Sequence, residues 1–347
     1  MSDASPRAVP AKIAVLGSGS WGTTFAKVLA DASPATHVAL WSRRAEVAVE
    51  ITERHRNSRY LGDTRLPGNV TASDDVAAVL ADSALVILAV PAQTLRGQLP
   101  AWRASIPENA VVVSLMKGLE VGTDARMSEV IAEELALPAD RIAVLSGPNL
   151  ALEIAREEPT ASVVACPDHG TAAWIAAACT ASYFRPYTST DVIGVEIGGI
   201  VKNVIALAVG ICEGRSMGDN TKASVITRGL AETTRLAVAL GGRPETMAGL
   251  AGMGDLIATC SSALSRNHTA GRLLGQGLTL DQVTVRMNQT AEGIKSARAV
   301  LDSATKLDVD MPITAAVVAV LQGQLAVDDL GARLLARNLK PEGDPAQ

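Results

Sequence analysis

The stretch Lys12–Ala30 constrains the fold of this chain more than any other. It opens with Ile13–Leu16, an apolar run typical of a strand that is buried on both faces of a parallel sheet. Three glycines follow in the spacing G-x-G-x-x-G, and apolar residues then recur at helical spacing. In such a unit Gly17 makes the tight turn, Gly19 admits a pyrophosphate and Gly22 lets helix and strand pack closely. The segment predicts a dinucleotide-binding site, with an ordinary glycine-rich turn as the alternative.

A pair of arginines follows the second predicted strand, His37–Trp41. An NAD-selective fold usually places Asp or Glu about 20 residues after the glycines, where it binds the ribose 2′-hydroxyl. Arg43 and Arg44 stand near that position instead. Guanidinium groups suit bidentate contacts with a 2′-phosphate, so the pair indicates NADP(H) as the preferred cofactor and NAD(H) as the secondary one. A solvated arginine pair without a ligand is the alternative.

The composition argues against some classes of partner. The net charge of −5 speaks against nucleic-acid binding, which needs a basic surface. The first residues lack the apolar core of a signal peptide, and no apolar stretch approaches the ~20 residues of a membrane span. The four cysteines are widely spaced, with no histidine at ligand spacing, so we expect buried free thiols and no metal site. A cytoplasmic protein is expected.

Further apolar runs predict more strands of the same sheet. They are Ala84–Pro91, Val111–Val113, Ile142–Leu145, Ala161–Ala165 and Tyr183–Thr188. The carboxyl ends of parallel strands face the ligand crevice, which places Lys117 and the turn around Gly147 at the edge that also holds the glycine turn. A solvated surface lysine is the alternative for Lys117. Between the strands, Ala45–Arg59 predicts an exposed helix and Leu61–Asn69 a loop.

After about Asp191 the strand-like runs give way to long helical stretches rich in Ala, Leu, Val and Gly. Gly194–Gly210 is apolar on nearly all sides and predicts a helix buried by its neighbours. Lys202 lies inside it, although lysine is almost never fully buried without a partner. A lysine in that setting suits a proton donor, and a structural pair with a glutamate is the alternative.

Polar turns interrupt the helical half. Gly214–Gly229 predicts a polar loop that leads into a helix, and Asp255 follows a glycine-rich turn as either a helix cap or a functional carboxylate. Ser265 and Arg266 open a helix and form a plausible phosphate clamp. The prediction is an α/β protein with a dinucleotide-binding domain over residues 1–190, an all-helical substrate and catalytic domain over 191–340, and a loose tail over 341–347.

Several longer motifs carry a family resemblance. They read Gly-Ser-Gly-Ser-Trp-Gly-Thr-Thr (17–24), Lys-Gly-Leu (117–119), Ser-Gly-Pro-Asn (146–149), Lys-Asn (202–203), Gly-Asp-Asn-Thr-Lys-Ala (218–223), Ile-Thr-Arg-Gly-Leu-Ala-Glu (226–232), Leu-Ala-Gly-Met-Gly-Asp-Leu-Ile-Ala-Thr-Cys (250–260) and Ser-Arg-Asn (265–267). In this order the sequence closely resembles the bacterial NAD(P)-dependent glycerol-3-phosphate dehydrogenases, over roughly Lys12 to Leu325. The resemblance implies a Rossmann domain followed by a helical domain of the 6-phosphogluconate-dehydrogenase-like kind.

It also implies an activity, the reversible reduction of dihydroxyacetone phosphate to sn-glycerol 3-phosphate for glycerophospholipid synthesis. Lys202 matches the family's proton donor and acceptor, Lys117 would stabilise the developing alkoxide, and Asp255 would hold Lys202 or a substrate hydroxyl. The positions that match substrate contacts are Lys117, Gly147, Asp255, Ser265, Arg266 and Asn267, with Asn203 and Thr259 beside the reacting centre. The positions that match cofactor contacts are Ser20, Trp21, Arg43, Arg44, Lys117, Ala151, Arg266, Thr290 and Glu292.

The sequence departs from the family pattern at a few positions. Asn149-Leu150 stands where a Ser-Phe pair is usual, His268 replaces a commoner Arg or aromatic residue, and Thr290 replaces an apolar one. The rival functions are a ketopantoate or beta-hydroxy acid reductase of the same architecture and a non-catalytic NADP(H)-sensing protein. The apolar C-terminal helices favour a homodimer.

Overall fold

The computed structural model describes residues 7–287 and 291–330. The chain divides into two compact units. Unit 1 comprises Met1–Lys117 and Ala125–Val195, and unit 2 comprises Gly118–Asp124 and Glu196–Gln347. The predicted tail, residues 341–347, lies outside the described residues.

Unit 1 is built on a sheet of eight strands with helices between them. The strands are β1 (Lys12–Leu16), β2 (His37–Trp41), β3 (Val70–Ser73), β4 (Leu85–Leu88), β5 (Val111–Ser114), β6 (Ile142–Ser146), β7 (Thr160–Ala165) and β8 (Phe184–Ser189). The helices are α1 (Ser20–Ala32), α2 (Ala45–Arg54), α3 (Ser58–Leu61), α4 (Val76–Leu80), α5 (Leu95–Arg103), α6 (Met127–Leu135), α7 (Ala151–Ala155) and α8 (His169–Ala178).

The strand order is β3-β2-β1-β4-β5-β6-β7-β8, and every pair is parallel except β6 with β7. The chain leaves β1 in one direction to reach β2 and returns to its other side to form β4. A crevice opens at such a switch point, at the carboxyl ends of the strands. The predicted dinucleotide-binding sheet is confirmed, and β3 is a strand that the sequence did not predict.

Strand β1 is buried on both faces from Ile13 to Leu16, which explains the apolar sequence of these four residues. Ile13 and Val15 pack into a core on one face of the sheet, together with Phe25 of α1. Ala14 and Leu16 pack into a second core on the opposite face. Because side chains alternate along a strand, a polar residue anywhere in Ile13–Leu16 would be buried in one of these cores.

The predicted helix Ala45–Arg59 is wrong in its extent. Helix α2 ends at Arg54, and His55 adopts a left-handed conformation with φ of 50°. The chain then turns, and Asn57 precedes the four-residue helix α3. Polar residues at helical spacing do not show where a helix stops when the terminating residue is not glycine.

From Glu196 onward, the described residues of unit 2 form helices joined by turns. Helix α9 (Val192–Gly214) starts at the end of unit 1, and the helices that follow are α10 (Asp219–Ala239), α11 (Pro244–Met247), α12 (Asp255–Ser261), α13 (Arg266–Gly275), α14 (Leu280–Arg286), α15 (Glu292–Lys306) and α16 (Pro312–Leu321). A π-helical turn, Leu250–Gly254, precedes α12. The predicted polar loop Gly214–Gly229 is wrong in its extent, because α10 already begins at Asp219.

Helix α9 is the centre of unit 2 and is confirmed as a buried helix. Its glycines meet the backbone of α13, since a Cβ on Gly210 would lie 2.2 Å from the His268 carbonyl oxygen. A Cβ on Gly271 of α13 would likewise lie 2.1 Å from the Leu207 carbonyl oxygen. The two helices therefore pack with their main chains in contact.

Helix α9 is also long and apolar enough to cross a membrane by length and composition alone. The expectation that no stretch reaches such a length is wrong in this respect. Among the described residues a bent pair, Pro244–Ser261 with Arg266–Gly275, could count as a second such element. Since 89% of the apolar window in α9 is buried inside the protein, its side chains have protein neighbours.

A buried carboxylate joins α10 to the start of α16. Glu232 is fully buried, and its oxygens accept hydrogen bonds from the Ile313 N–H (2.9 Å), the Thr314 N–H (3.0 Å) and the Thr314 hydroxyl (2.7 Å). Glu232 thereby caps the first turn of α16, whose N–H groups have no partner within the helix. Loss of solvation nevertheless outweighs them and raises the pKa of the Glu232 carboxyl to about 7.

We predict that Glu232 makes the stability of the protein depend on pH. Between about pH 4.5 and 7 the folded protein retains a proton on Glu232 that the unfolded chain has lost, so this contribution to stability decreases as pH rises. Relative to Glu232→Gln, which stays neutral, the wild type should lose roughly 3 kcal/mol of unfolding free energy across this window. Denaturant unfolding at pH 5 and pH 8 measures the difference. Glu245→Gln, at an exposed position of α11, is the control, and parallel pH profiles for wild type and Glu232→Gln would contradict the prediction.

Candidate active site

The glycine turn in unit 1 has the shape that a pyrophosphate site requires. A Cβ on Gly17, whose φ is 125°, would lie 2.4 Å from the Ala89 carbonyl oxygen, so the turn passes directly over the end of β4. A Cβ on Gly22 would lie 1.9 Å from the Gly17 carbonyl oxygen, which brings α1 against the turn. A Cβ on Gly19 would meet nothing within 4 Å. The main chain is therefore tightly packed at the first and third glycines and open at the second. These residues fit a dinucleotide phosphate.

The two arginines follow strand β2, which pairs with β1. The Ser18 hydroxyl of the glycine turn donates to the Ser42 hydroxyl at 2.9 Å, and Ser42 bonds the backbone of Arg44. The Arg44 guanidinium lies 5.9 Å from the centre of the Tyr60 ring, whereas Arg43 is exposed. The glycine turn and the arginine turn are thus joined through one pair of hydroxyls, which sequence reasoning missed.

Other predicted cofactor contacts lie around α1. Ser20 is its first residue, and the buried indole N–H of Trp21 has no hydrogen-bond partner within the described part of the chain. The Thr24 hydroxyl donates to the Ala151 carbonyl at 3.2 Å, which ties α1 to the start of α7. An orphaned donor beside the glycine turn fits a site that accepts a ligand.

Lys117 and Gly147 are brought together within unit 1, as their positions after β5 and β6 predict. The Lys117 ammonium donates to the Gly147 carbonyl at 2.9 Å. Nearby, the Asn149 side chain donates to the Ser162 hydroxyl at 3.1 Å, and Ser162 donates in turn to the Ser146 carbonyl at 3.0 Å. Asn149 is thus held by the neighbouring strand β7.

In unit 2 a buried cluster surrounds Lys202. Its ammonium donates to Asp255 Oδ1 at 2.8 Å and to the Thr259 hydroxyl at 2.6 Å, and that hydroxyl is 3.3 Å from the same carboxylate oxygen. The three side chains lie almost entirely out of solvent. The partner of Lys202 in this cluster is therefore an aspartate from α12 rather than a glutamate of its own helix.

The close approach of two backbones assembles this cluster. A Cβ on Gly198, one turn before Lys202, would lie 2.5 Å from the Ala251 carbonyl oxygen. The π-helical turn therefore rests directly on α9 and directs the first turn of α12 at Lys202. The capping position of α12 is taken by Gly254, so Asp255 does not serve as the cap.

A second chain of hydrogen bonds in unit 2 starts at the residue after Lys202. The Asn267 amide donates to Asn203 Oδ1 at 2.8 Å, and Asn267 Oδ1 accepts from the Gly293 N–H at 2.9 Å. Asn203 also donates to the Gly199 carbonyl at 3.4 Å. This asparagine relay, Asn203–Asn267–Gly293, joins α9, α13 and α15, and each member is adjacent in sequence to Lys202, Arg266 or Glu292. Gly293 had not been singled out as a site residue, although its position beside a predicted cofactor contact could have pointed to it.

The residues of the predicted phosphate clamp lie at the start of α13. Ser265 is the N-cap and accepts from the His268 N–H at 3.2 Å, and Arg266 begins the helix with an exposed side chain. Glu292 is the first residue of α15. Thr290, the remaining predicted cofactor contact, lies outside the described residues.

A glycine turn of the dinucleotide-binding kind in one unit and a buried, hydrogen-bonded lysine in the other are features of a nucleotide-dependent oxidoreductase. The family model for the N-terminus of NAD-dependent glycerol-3-phosphate dehydrogenase matches residues 12–172, and the model for its C-terminus matches residues 191–332. The chain belongs to this family.

Individual relatives agree with the family models. The chain is 57% identical over 331 residues to "Glycerol-3-phosphate dehydrogenase [NAD(P)+]" of Thermobifida fusca, covering 95% of this chain and 98% of that protein. It is 55% identical to the protein of the same name from Streptomyces griseus, covering 96% and 98%. The crystal structure of glycerol-3-phosphate dehydrogenase from Coxiella burnetii superposes with a TM-score of 0.90 at 35% identity, covering 95% of this chain and all of that one.

The asparagine relay predicts that Gly293 cannot carry a side chain without loss of turnover. A Cβ there would lie 2.7 Å from the Asn203 carbonyl oxygen and 2.9 Å from Asn267 Oδ1, so Gly293→Ala must displace both asparagines. Misplaced functional groups typically cost about 10²-fold in rate. We expect a fall of that order in kcat for Gly293→Ala, measured by the loss of absorbance at the reduced-nicotinamide band. Gly97→Ala on α5, where a Cβ meets nothing within 4 Å, is the control and should retain activity. An active Gly293→Ala protein would show that the relay does not position the site.

Proposed function

We propose that this protein catalyses the reversible NAD(P)H-dependent reduction of dihydroxyacetone phosphate to sn-glycerol 3-phosphate. Membership of the glycerol-3-phosphate dehydrogenase family supports the reaction, and the cluster around Lys202 is the single observation that carries the chemistry. The product would supply glycerophospholipid synthesis.

The nicotinamide supplies the hydride when the cofactor is bound. What remains for the chain is one proton, which the Lys202 ammonium delivers to the carbonyl oxygen as that oxygen becomes a hydroxyl. Asp255 and Thr259 hold the ammonium in one orientation, because each accepts a hydrogen bond from it. In the reverse direction Lys202 accepts the same proton from the substrate hydroxyl, and solvent restores its charge state after each turnover.

The substrate phosphate requires positive charge close to it, although the net charge of the chain is −5. Arg266 and the N–H groups of the first turn of α13 supply it locally, since a helix N-terminus attracts an anion. The substrate contacts expected of Gly147, Asn203 and Asn267 belong to the same proposal, as does alkoxide stabilisation by Lys117. For Asn267 the relay suggests that its amide acts through Asn203 and Gly293.

For the cofactor we propose NADP(H) as the preferred form and NAD(H) as the secondary one. The open space at Gly19 suits the pyrophosphate, and Arg43 with Arg44 suits a 2′-phosphate. Ser20, Trp21, Ala151 and Glu292 are the further contacts of the proposal. The relatives named "[NAD(P)+]" support the use of both cofactors.

A cytoplasmic location and a homodimer complete the proposal. All four cysteines are free and buried, and burial raises the pKa of Cys179 and of Cys260 to about 12, so these thiols resist oxidation. Unpaired cysteines are typical of a reducing compartment. Light scattering coupled to gel filtration gives the oligomeric state directly.

The proposed reaction predicts loss of absorbance at the reduced-nicotinamide band when the protein is mixed with dihydroxyacetone phosphate and NADPH. The decay should be slower with NADH, because NADH offers no 2′-phosphate to the arginine pair. Ketopantoate in place of the phosphate ester is the control substrate and should give no decay. Turnover of ketopantoate alone would identify the rival reductase. Binding of NADPH without turnover of either substrate would identify a sensing protein.

Lys202→Ala should lower kcat by about 10²–10⁴-fold, the contribution typical of a positioned acid. The dissociation constant for NADPH, measured by fluorescence titration, should change little, because the glycine turn and the arginines remain. Removing one partner of a buried ion pair also destabilises a protein, so thermal unfolding must accompany the kinetics. Lys306→Ala, which removes an exposed lysine paired with Asp124, is the matched control. Undiminished turnover in folded Lys202→Ala would rule out the proposed proton donor.

A further inference from the structure

A buried asparagine outside every predicted motif holds the glycine turn. Asn57 follows the left-handed residue His55, and its side chain is fully buried. Its amide nitrogen donates to the Ser18 carbonyl at 3.0 Å and to the Thr23 hydroxyl at 2.8 Å. One side chain therefore donates hydrogen bonds to both the glycine turn and the first turn of α1.

The orientation of the Asn57 amide is determined by its partners. The Ser18 carbonyl can only accept a hydrogen bond, so the NH₂ group must face it. Asn57 Oδ1 then has no hydrogen-bond partner among the described residues. An unsatisfied buried oxygen is costly, and leucine or alanine would fill an apolar position at lower cost. Unlike leucine or alanine, the asparagine donates a hydrogen bond to the Ser18 carbonyl.

That donor sets the direction of the next N–H group. The peptide bonds of the described chain are trans, and in a planar trans peptide the C=O and the N–H point to opposite sides. Since the Ser18 carbonyl points at Asn57, the Gly19 N–H must point away from it. Gly19 is also the residue at which a Cβ would meet nothing within 4 Å. The hydrogen bond from Asn57 therefore aims a backbone donor at the open side of the turn.

We propose that Asn57 is a positioning residue for the cofactor. Its hydrogen bond orients the Ser18–Gly19 peptide so that the Gly19 N–H can donate to the pyrophosphate. This inference rests on the proposed function, since it assumes a nicotinamide dinucleotide at the glycine turn. The pyrophosphate is common to NADPH and NADH. Loss of Asn57 therefore weakens both cofactors alike, whereas loss of Arg43 weakens NADPH more than NADH.

The chain offers a matched control at the other end of α1. Asn69 is a second asparagine whose amide nitrogen donates to backbone carbonyls, those of Ala30 (3.2 Å), Ser33 (3.3 Å) and Thr36 (2.8 Å). It clamps the turn that leaves α1 and has no part in the glycine turn. A merely structural asparagine clamp should behave like Asn69.

The experiment measures dissociation constants for NADPH and NADH by fluorescence titration, together with thermal unfolding, for Asn57→Ala, Asn57→Asp, Asn69→Ala and Arg43→Ala. The isosteric Asn57→Asp variant leaves no cavity and, when its carboxyl is ionised, has no donor for Ser18. Because that charge by itself repels a pyrophosphate, Asn57→Ala, which adds no charge, must show the same loss. We expect both Asn57 variants to bind NADPH and NADH about tenfold or more weakly, with the ratio of the two constants unchanged. Asn69→Ala should be destabilised while its dissociation constants stay at the wild-type values.

The possible failures are distinguishable. If folded Asn57→Ala and Asn57→Asp bind both cofactors as tightly as wild type, the positioning role is overturned and the proposed function stands. If Asn57→Ala and Asn69→Ala weaken binding equally, Asn57 contributes only general stability and the proposal also fails. If the wild-type protein binds neither cofactor, the proposed function itself is overturned, and the role of Asn57 with it.

Discussion

Contact between main chains, permitted by glycine, is the constraint on which both units depend. A Cβ on Gly17, Gly198 or Gly293 would lie 2.4, 2.5 or 2.7 Å from the carbonyl oxygen of Ala89, Ala251 or Asn203. No side chain fits in such a gap, and any substitution must move backbone. Each contact adjoins a segment of the proposed site: the glycine turn, the helix that carries Asp255, and the start of α15. These glycine contacts thus determine where the side chains of the proposed site lie.

Buried polar side chains in unit 2 hydrogen-bond to one another. Lys202, Asp255 and Thr259 form one such set, and the relay through Asn203 and Asn267 forms another. A charge or an amide taken out of water is costly unless it is hydrogen-bonded, so these side chains have few alternative positions. Donors and acceptors held in this way need no rearrangement when charge develops during a reaction, which is the usual source of electrostatic catalysis.

Local patterns predicted the sheet better than its connections. Strands such as β1 and β4 are buried on both faces, and their apolar runs are visible in any short window of sequence. Strand β3 has one fully buried residue, and its sequence Val-Thr-Ala-Ser carries little of that signal. The end of α2 was missed because His55 takes a left-handed conformation without being glycine. That misplaced boundary put Asn57 inside a helix, where no contact with the glycine turn could be foreseen.

The sequence by itself determined the class of fold and the family, because glycine spacing, apolar runs and ordered motifs are local properties of the chain. It also marked Lys202 as exceptional, since a lysine in an apolar helix demands a partner. Only the tertiary structure decided that the partner is Asp255, 53 residues further on, and that Asn57 donates a hydrogen bond to the glycine turn from 39 residues away. Such pairs depend on how close two backbones approach and which way each side chain points. Both are fixed when the elements pack, so no local pattern records them.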